Sequence, residues 1–90
     1  MHHNERYYVY EDGDDNALHI VIPDDIVIGS ARQDQLVEAV REAFCVEFPD
    51  RNGKTIPIKV GYMREIPPTE GVEHHSDLAK VTEDFIKSGL

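Results

Sequence analysis

Apolar residues along this 90-residue chain change their spacing three times, and those changes decide its fold class. Leu18, Ile20 and Ile22 recur every second residue, as on one face of a strand. Leu36, Val40, Ala43 and Phe44 recur at i, i+4, i+7 and i+8, as on one stripe of a helix. Ile56, Ile58, Val60 and Tyr62 return to alternation, and Leu78, Val81, Phe85 and Ile86 return to helical spacing. A period of two belongs to half-buried strands and one of 3.6 to amphipathic helices. The chain must therefore mix both in one small core.

The punctuation between these runs supplies the elements. Arg6 to Tyr10 is β-branched and aromatic, Glu11 to Asn16 is a six-residue polar loop containing Asp12-Gly13, and Ala17 to Ile22 follows. That pattern predicts a β-hairpin, ended at Pro23, which lacks a ladder donor. Ile26-Val27-Ile28 fits a third short strand or a buried connector equally well. Ser30 with Gln33 three residues on has the form of a capping box, so a helix is expected from about Ala31 to Cys45. Pro49 to Lys54 is a turn cluster in which Asn52-Gly53 readily takes positive φ. Thr55 to Met63 then reads as a half-buried strand, and Pro57 places it at an edge of the sheet. Val46-Glu47-Phe48 is a candidate short partner for it. Pro67 to Gly71 reads as a rigid polar link. Ser76 or Asp77 would cap a last helix that stops at Gly89. The expected order is β-β-(β)-α-(β)-β-α. It folds as a single α+β domain over residues 1–90, a two-layer sandwich with an antiparallel sheet, an N-terminal β-hairpin and two helices.

Charge narrows the function. Eighteen carboxylates face nine Lys and Arg, for a net charge of −9. Residues 1–50 hold twelve acids against Arg6, Arg32 and Arg41, whereas residues 51–90 hold six of each sign. Tyr7 to Ala31 contains no Lys or Arg. Such a field repels nucleic acid and anionic membranes and attracts basic partners. It also keeps a protein soluble, whatever else it does. No apolar run approaches the roughly 20 residues of a membrane span. MHHNER has no apolar stretch behind it, so no secretory signal is expected. The single Cys45 excludes an internal disulfide, and a reducing, cytoplasmic setting follows as the default.

Few residue groupings suggest chemistry. Asp12, Asp14 and Asn16 match the first three ligand positions of an EF-hand loop, but Ala17 and Pro23 stand where its glycine and bidentate glutamate belong. Glu73-His74-His75-Ser76-Asp77 gathers metal-type ligands, yet adjacent histidines diverge on most backbones. A third ligand such as His19 would have to come from afar. We read it as a solvated loop. His2 and His3 are terminal. Cys45 falls at a helix C-terminus, where the dipole disfavours a thiolate, and reads as a small core residue. No nucleophile motif or glycine-rich phosphate loop occurs. Glu38 and Glu42 share a helix face at i, i+4, and the carboxylates loosely imitate the spaced charges of a nucleic-acid strand.

The run Tyr8 to Ala43 resembles the HicB-type antitoxins, through a hairpin, Ile22-Pro23-Asp24, a Gly29-Ser30 turn, and Glu38-Ala39 with Glu42-Ala43 on a helix. The resemblance implies a small acidic α+β domain that binds and silences a ribonuclease toxin. It covers under half of the chain. The spacing from Pro23 to the helix is shorter than the family's, and Thr55 to Leu90 has no counterpart in it.

The expectation is a non-enzymatic interaction module, an acidic inhibitor or immunity- or antitoxin-type protein. It would occupy a basic surface on a nuclease, a nucleic-acid-binding complex or another basic protein. Candidate partner-binding residues are Glu11, Asp12, Asp14 and Asp15 at the hairpin tip and Asp24 and Asp25 at its other end. Tyr8 and Tyr10 join them as aromatic anchors on the outward face. An accessory subunit, homodimeric through the edge strand Thr55 to Met63, is the second reading. A small metal-dependent enzyme using His74, His75 and an acid is the third. The leading reading requires no cofactor, metal, membrane or direct nucleic-acid contact.

Overall fold

The computed structural model describes residues 6–63 and 71–89. Strands β1 (Tyr8–Asp12) and β2 (Ala17–Pro23) pair antiparallel, from Tyr8 opposite Val21 to Asp12 opposite Ala17. Glu11 and Asp12 therefore belong to the strand and not to the tip, which shrinks to residues 13–16. The reason lies on the far side of β1. A short strand β4 (Val72–His74) pairs with it antiparallel, from Tyr10 opposite His74 to Asp12 opposite Val72, and extends its ladder. The turn closes through the Asn16 N–H to the Asp12 carbonyl at 2.8 Å. Asn16 takes the left-handed conformation at φ 54°, which asparagine tolerates better than most residues.

Helix α1 (Ser30–Glu47) carries the chain across to β3 (Ile58–Met63), and α2 (Ser76–Ser88) closes the fold. The sheet order is β3-β2-β1-β4, with β3 at one edge as Pro57 suggested. The α+β class and two layers hold, but the sheet is mixed. β2 and β3 run parallel, from Leu18 opposite Ile58 to Pro23 opposite Met63. The cause is α1, because a helical crossover returns the chain to the same end of the sheet. Ile26-Val27-Ile28 is a connector, and Val46-Glu47 lies inside α1, so neither adds a strand.

One core fills the space between layers. Val9, Leu18, Ile20 and Ile22 meet Leu36, Val40 and Phe44 of α1 and Leu78 and Ile86 of α2. Thr82, fully buried on α2, satisfies its hydroxyl by donating to the Leu78 carbonyl at 3.0 Å. Neither helix is capped as expected. Gly29 and His75 are the N-caps, and neither makes a side-chain cap bond. With α1 starting at Ser30, the serine lies one position too far in to serve as the cap. Gly53 also differs from expectation, since its φ is not positive. It is glycine because a Cβ there would stand 2.8 Å from both Cys45 Sγ and Phe44 Cδ1. Positive φ falls instead on Gly71, at 75°. The Pro67–Glu70 part of the expected link, with His2 and His3, lies outside the described residues. Among the described residues, no helix is long and apolar enough to cross a membrane.

Candidate functional site

Alternation along β1 sends Glu11 to the helix side of the sheet, beside Leu18, and Tyr8, Tyr10 and Asp12 to the other. Glu11 is consequently not a free surface charge. Arg51 donates to both its oxygens, at 2.8 and 2.6 Å, and His75 Nε2 lies 2.8 Å from Oε1. Burial pushes the Glu11 carboxyl up, but the bonds from Arg51 and His75 outweigh it and hold the group below the usual range. His75 itself is buried, edge-on to Phe44 and Phe48 at 6.1 and 5.3 Å, and its backbone N–H donates to the Val9 carbonyl. This corrects the solvated-loop reading of residues 73–77, because pairing of β4 with β1 turns His75 inward. His74 emerges on the opposite face, so the two adjacent histidines diverge as expected.

The other expected contact residues fare differently. Asp12 Oδ1 accepts the Asp14 N–H and braces the turn. Asp15 accepts the Ala17 N–H, lies 2.9 Å from His19 Nε2 and meets Lys59 at 3.5 Å. Desolvation, the largest single influence, raises its carboxyl, and these three partners together outweigh it and lower the group. Asp25 pairs with Arg6 at 2.5 Å. Asp14 and Asp24 are exposed and have no ion-pair partner among the described residues. Tyr8 is half-buried. Tyr10 is only 9% exposed, stacked on His19 at 4.9 Å and tilted against His74 at 6.0 Å. Its hydroxyl is pushed up by desolvation and by the nearby Asp12 and Asp15 charges.

Helix α1 carries the more continuous acidic surface. Asp34, Glu38 and Glu42 repeat at i, i+4 and i+8, all exposed, with Val46 next in the row and 77% exposed. Successive members rise about 6 Å along the helix. None of the three has a basic partner among the described residues. The helix's own arginines point elsewhere: Arg41 donates to the Gly53 and Ile56 carbonyls, and Arg32 to that of Phe85 while lying 4.0 Å over its ring. The sequence showed Glu38 and Glu42 on one face. It carried no sign that both arginines would be drawn onto backbone carbonyls.

Among the described residues, two groups hold metal-type ligand atoms within 4.8 Å of one another: Glu11, Glu73 and His75, and Asp12, Asp15 and His19. In the first, a cation would have to displace the Arg51 guanidinium from Glu11. In the second, Asp15 is already held by Lys59 at 3.5 Å and by the His19 ring at 2.9 Å. Cys45 is half-buried against Gly53. A cavity of about 280 Å³ lies beside Arg51, lined by Glu11, Asn16, Phe44, Asn52, Thr55, Ile56 and Pro57. Its two charged groups bind each other. No family model, no curated protein and no solved structure matches this chain. The HicB-type resemblance thus rests on residues 8–43 alone.

Proposed function

We propose that this protein is a non-enzymatic interaction module, a small acidic inhibitor or antitoxin-type protein whose partner presents a basic surface. The observation that carries the reading is the row Asp34, Glu38 and Glu42. Three exposed carboxylates stand in line while every arginine of their helix is engaged with the backbone. Like charges at i, i+4 destabilise a helix by about 0.2–0.5 kcal/mol per pair. A basic surface turns that repulsion into attraction and speeds association. A groove built for a nucleic-acid strand offers such a surface, which makes a nuclease or a nucleic-acid-binding complex the favoured partner class. The exposed Asp14 and Asp24 extend the negative field, whereas Glu11, Asp15 and Asp25 contribute less because each is already paired.

The test is affinity capture from extract of the source organism, with the wild type and an Asp34→Lys, Glu38→Lys, Glu42→Lys variant. A basic protein retained by the wild type, released by moderate salt and lost with the variant supports the reading. Equal retention by both removes the α1 row from it.

A further inference from the structure

β3 is the outermost strand, and its backbone directions are set by one bond: the Pro57 carbonyl accepts the Leu18 N–H at 2.8 Å. Peptide groups alternate in direction along a strand, so Ile58, Val60 and Tyr62 turn their N–H and C=O groups away from β2. Among the described residues, none of these groups has a hydrogen-bond partner. The prolyl nitrogen, by the same parity, faces β2 and leaves the outer edge intact. Tyr62 is 41% exposed, and Ile58 and Val60 are half-buried. From Thr55 to Met63 there is no acid and one cation, Lys59. The opposite edge, β4, has three residues and includes Glu73.

We propose that β3 pairs antiparallel with β3 of a second copy, about a two-fold axis through Val60, to make one continuous sheet. A closed two-fold contact demands a surface complementary to itself, and this strand meets that demand. Val60 faces Val60, Ile58 faces Tyr62 in two aliphatic–aromatic pairs, and Lys59 faces Gly61. Every outward peptide group of the three residues is then bonded. A Cβ at Gly61 would meet nothing within 4 Å, so the opposing lysine stem has room. Charge selects the same edge. Two chains of net charge −9 repel wherever carboxylates meet; β3 itself carries none, the neighbouring Asp15 is already paired with Lys59, and the lysines do not face each other. A foreign strand could use the exposed peptide groups but has no need of this internal symmetry.

The five paired residues of each strand, 58–62, bury less than the ~1,000 Å² of a stable interface, so the dimer is weak and dependent on concentration. It strengthens with salt as the mutual repulsion is screened. Capture of a basic partner weakens with salt, so the two proposals fail separately.

Sedimentation equilibrium from micromolar to millimolar protein, at low and moderate salt, provides the test. The dimer fraction should rise with both. Gly61→Lys, set against the second copy's Lys59, should raise the dissociation constant about tenfold, and Gly61→Glu should lower it by a similar factor. Circular dichroism checks that both fold. Val60→Pro removes an outward donor without touching a bond to β2, and should leave a monomer. A wild type monomeric throughout overturns the proposal, as does a dimer indifferent to the sign of the charge at position 61. So does a foreign strand seated on β3 while the pure chain stays monomeric.

Discussion

Glu11 is where single-residue chemistry and position diverge most. A glutamate beside an aspartate and a glycine looks like a solvated turn, yet its carboxylate joins three segments through Arg51 and His75. The Arg51 guanidinium also lies over Phe44 at 5.4 Å and Phe48 at 5.9 Å, so the ion pair roofs the end of the core. Its folded carboxyl is held below the unfolded one. Stability from this group is therefore complete above the unfolded value of about 4.3 and is lost as pH falls through the lower folded value. Glu11→Gln should cost about 1–3 kcal/mol at neutral pH, less than a fully buried pair because Arg51 is 44% exposed. It should also flatten the decline in acid. Urea titrations at pH 7 and pH 3 check this: equal losses at both would mean the glutamate contributes shape and not charge. No local signal in the sequence joins Glu11 to Arg51 and His75, which lie 40 and 64 residues away.

The two helices show what periodicity encodes and where it stops. Leu36, Val40 and Phe44 are buried as their spacing requires, because a stripe on a 3.6-residue period has one face to offer a core. On α2 the buried set is Leu78, Thr82 and Ile86, with Val81 and Phe85 at the margin. A threonine hydroxyl satisfied by its own helix can be buried, and no hydrophobicity pattern registers it. Strand direction was likewise illegible, since alternation in β3 is the same whether it runs parallel or antiparallel to β2. Three residues of β4 are too few to show any period. The difference between the helices can be measured. Phe44→Ala should destabilise by about 3–5 kcal/mol, because its ring is fully buried against Phe48, His75 and Gly53. Phe85→Ala should cost about half of that, since its ring is half-buried and covered on one face by Arg32. Denaturation midpoints of the two variants decide it, and equal losses would place Phe85 deeper in the core than drawn.

At the scale of the molecule, the net charge of −9 is distributed so that the first fifty residues carry all of it. Among the described residues of the second half, the cations are Arg51, Lys54, Lys59, Lys80 and Lys87. Arg51 is bonded to Glu11, Lys59 meets Asp15, and Lys80 and Lys87 are paired with Asp84 and Glu83 along α2. A phosphate backbone needs a row of cations free to replace its counterions, and pairing leaves only Lys54 without an acidic partner in this set. Micromolar protein should therefore leave duplex DNA unshifted in moderate salt. The same pairing bears on metals. If a resident cation bridged Asp12, Asp15 and His19, it would contribute to folding and its removal would lower the melting temperature. With Asp15 already held by the Ala17 N–H, the imidazole and Lys59, the melting temperature should be unchanged by EDTA. A fall of many degrees with EDTA, absent in a His19→Ala variant, would make that triad a structural metal site. A clear gel shift would make the β3 side, with Lys54 and Lys59, the binding surface instead of α1.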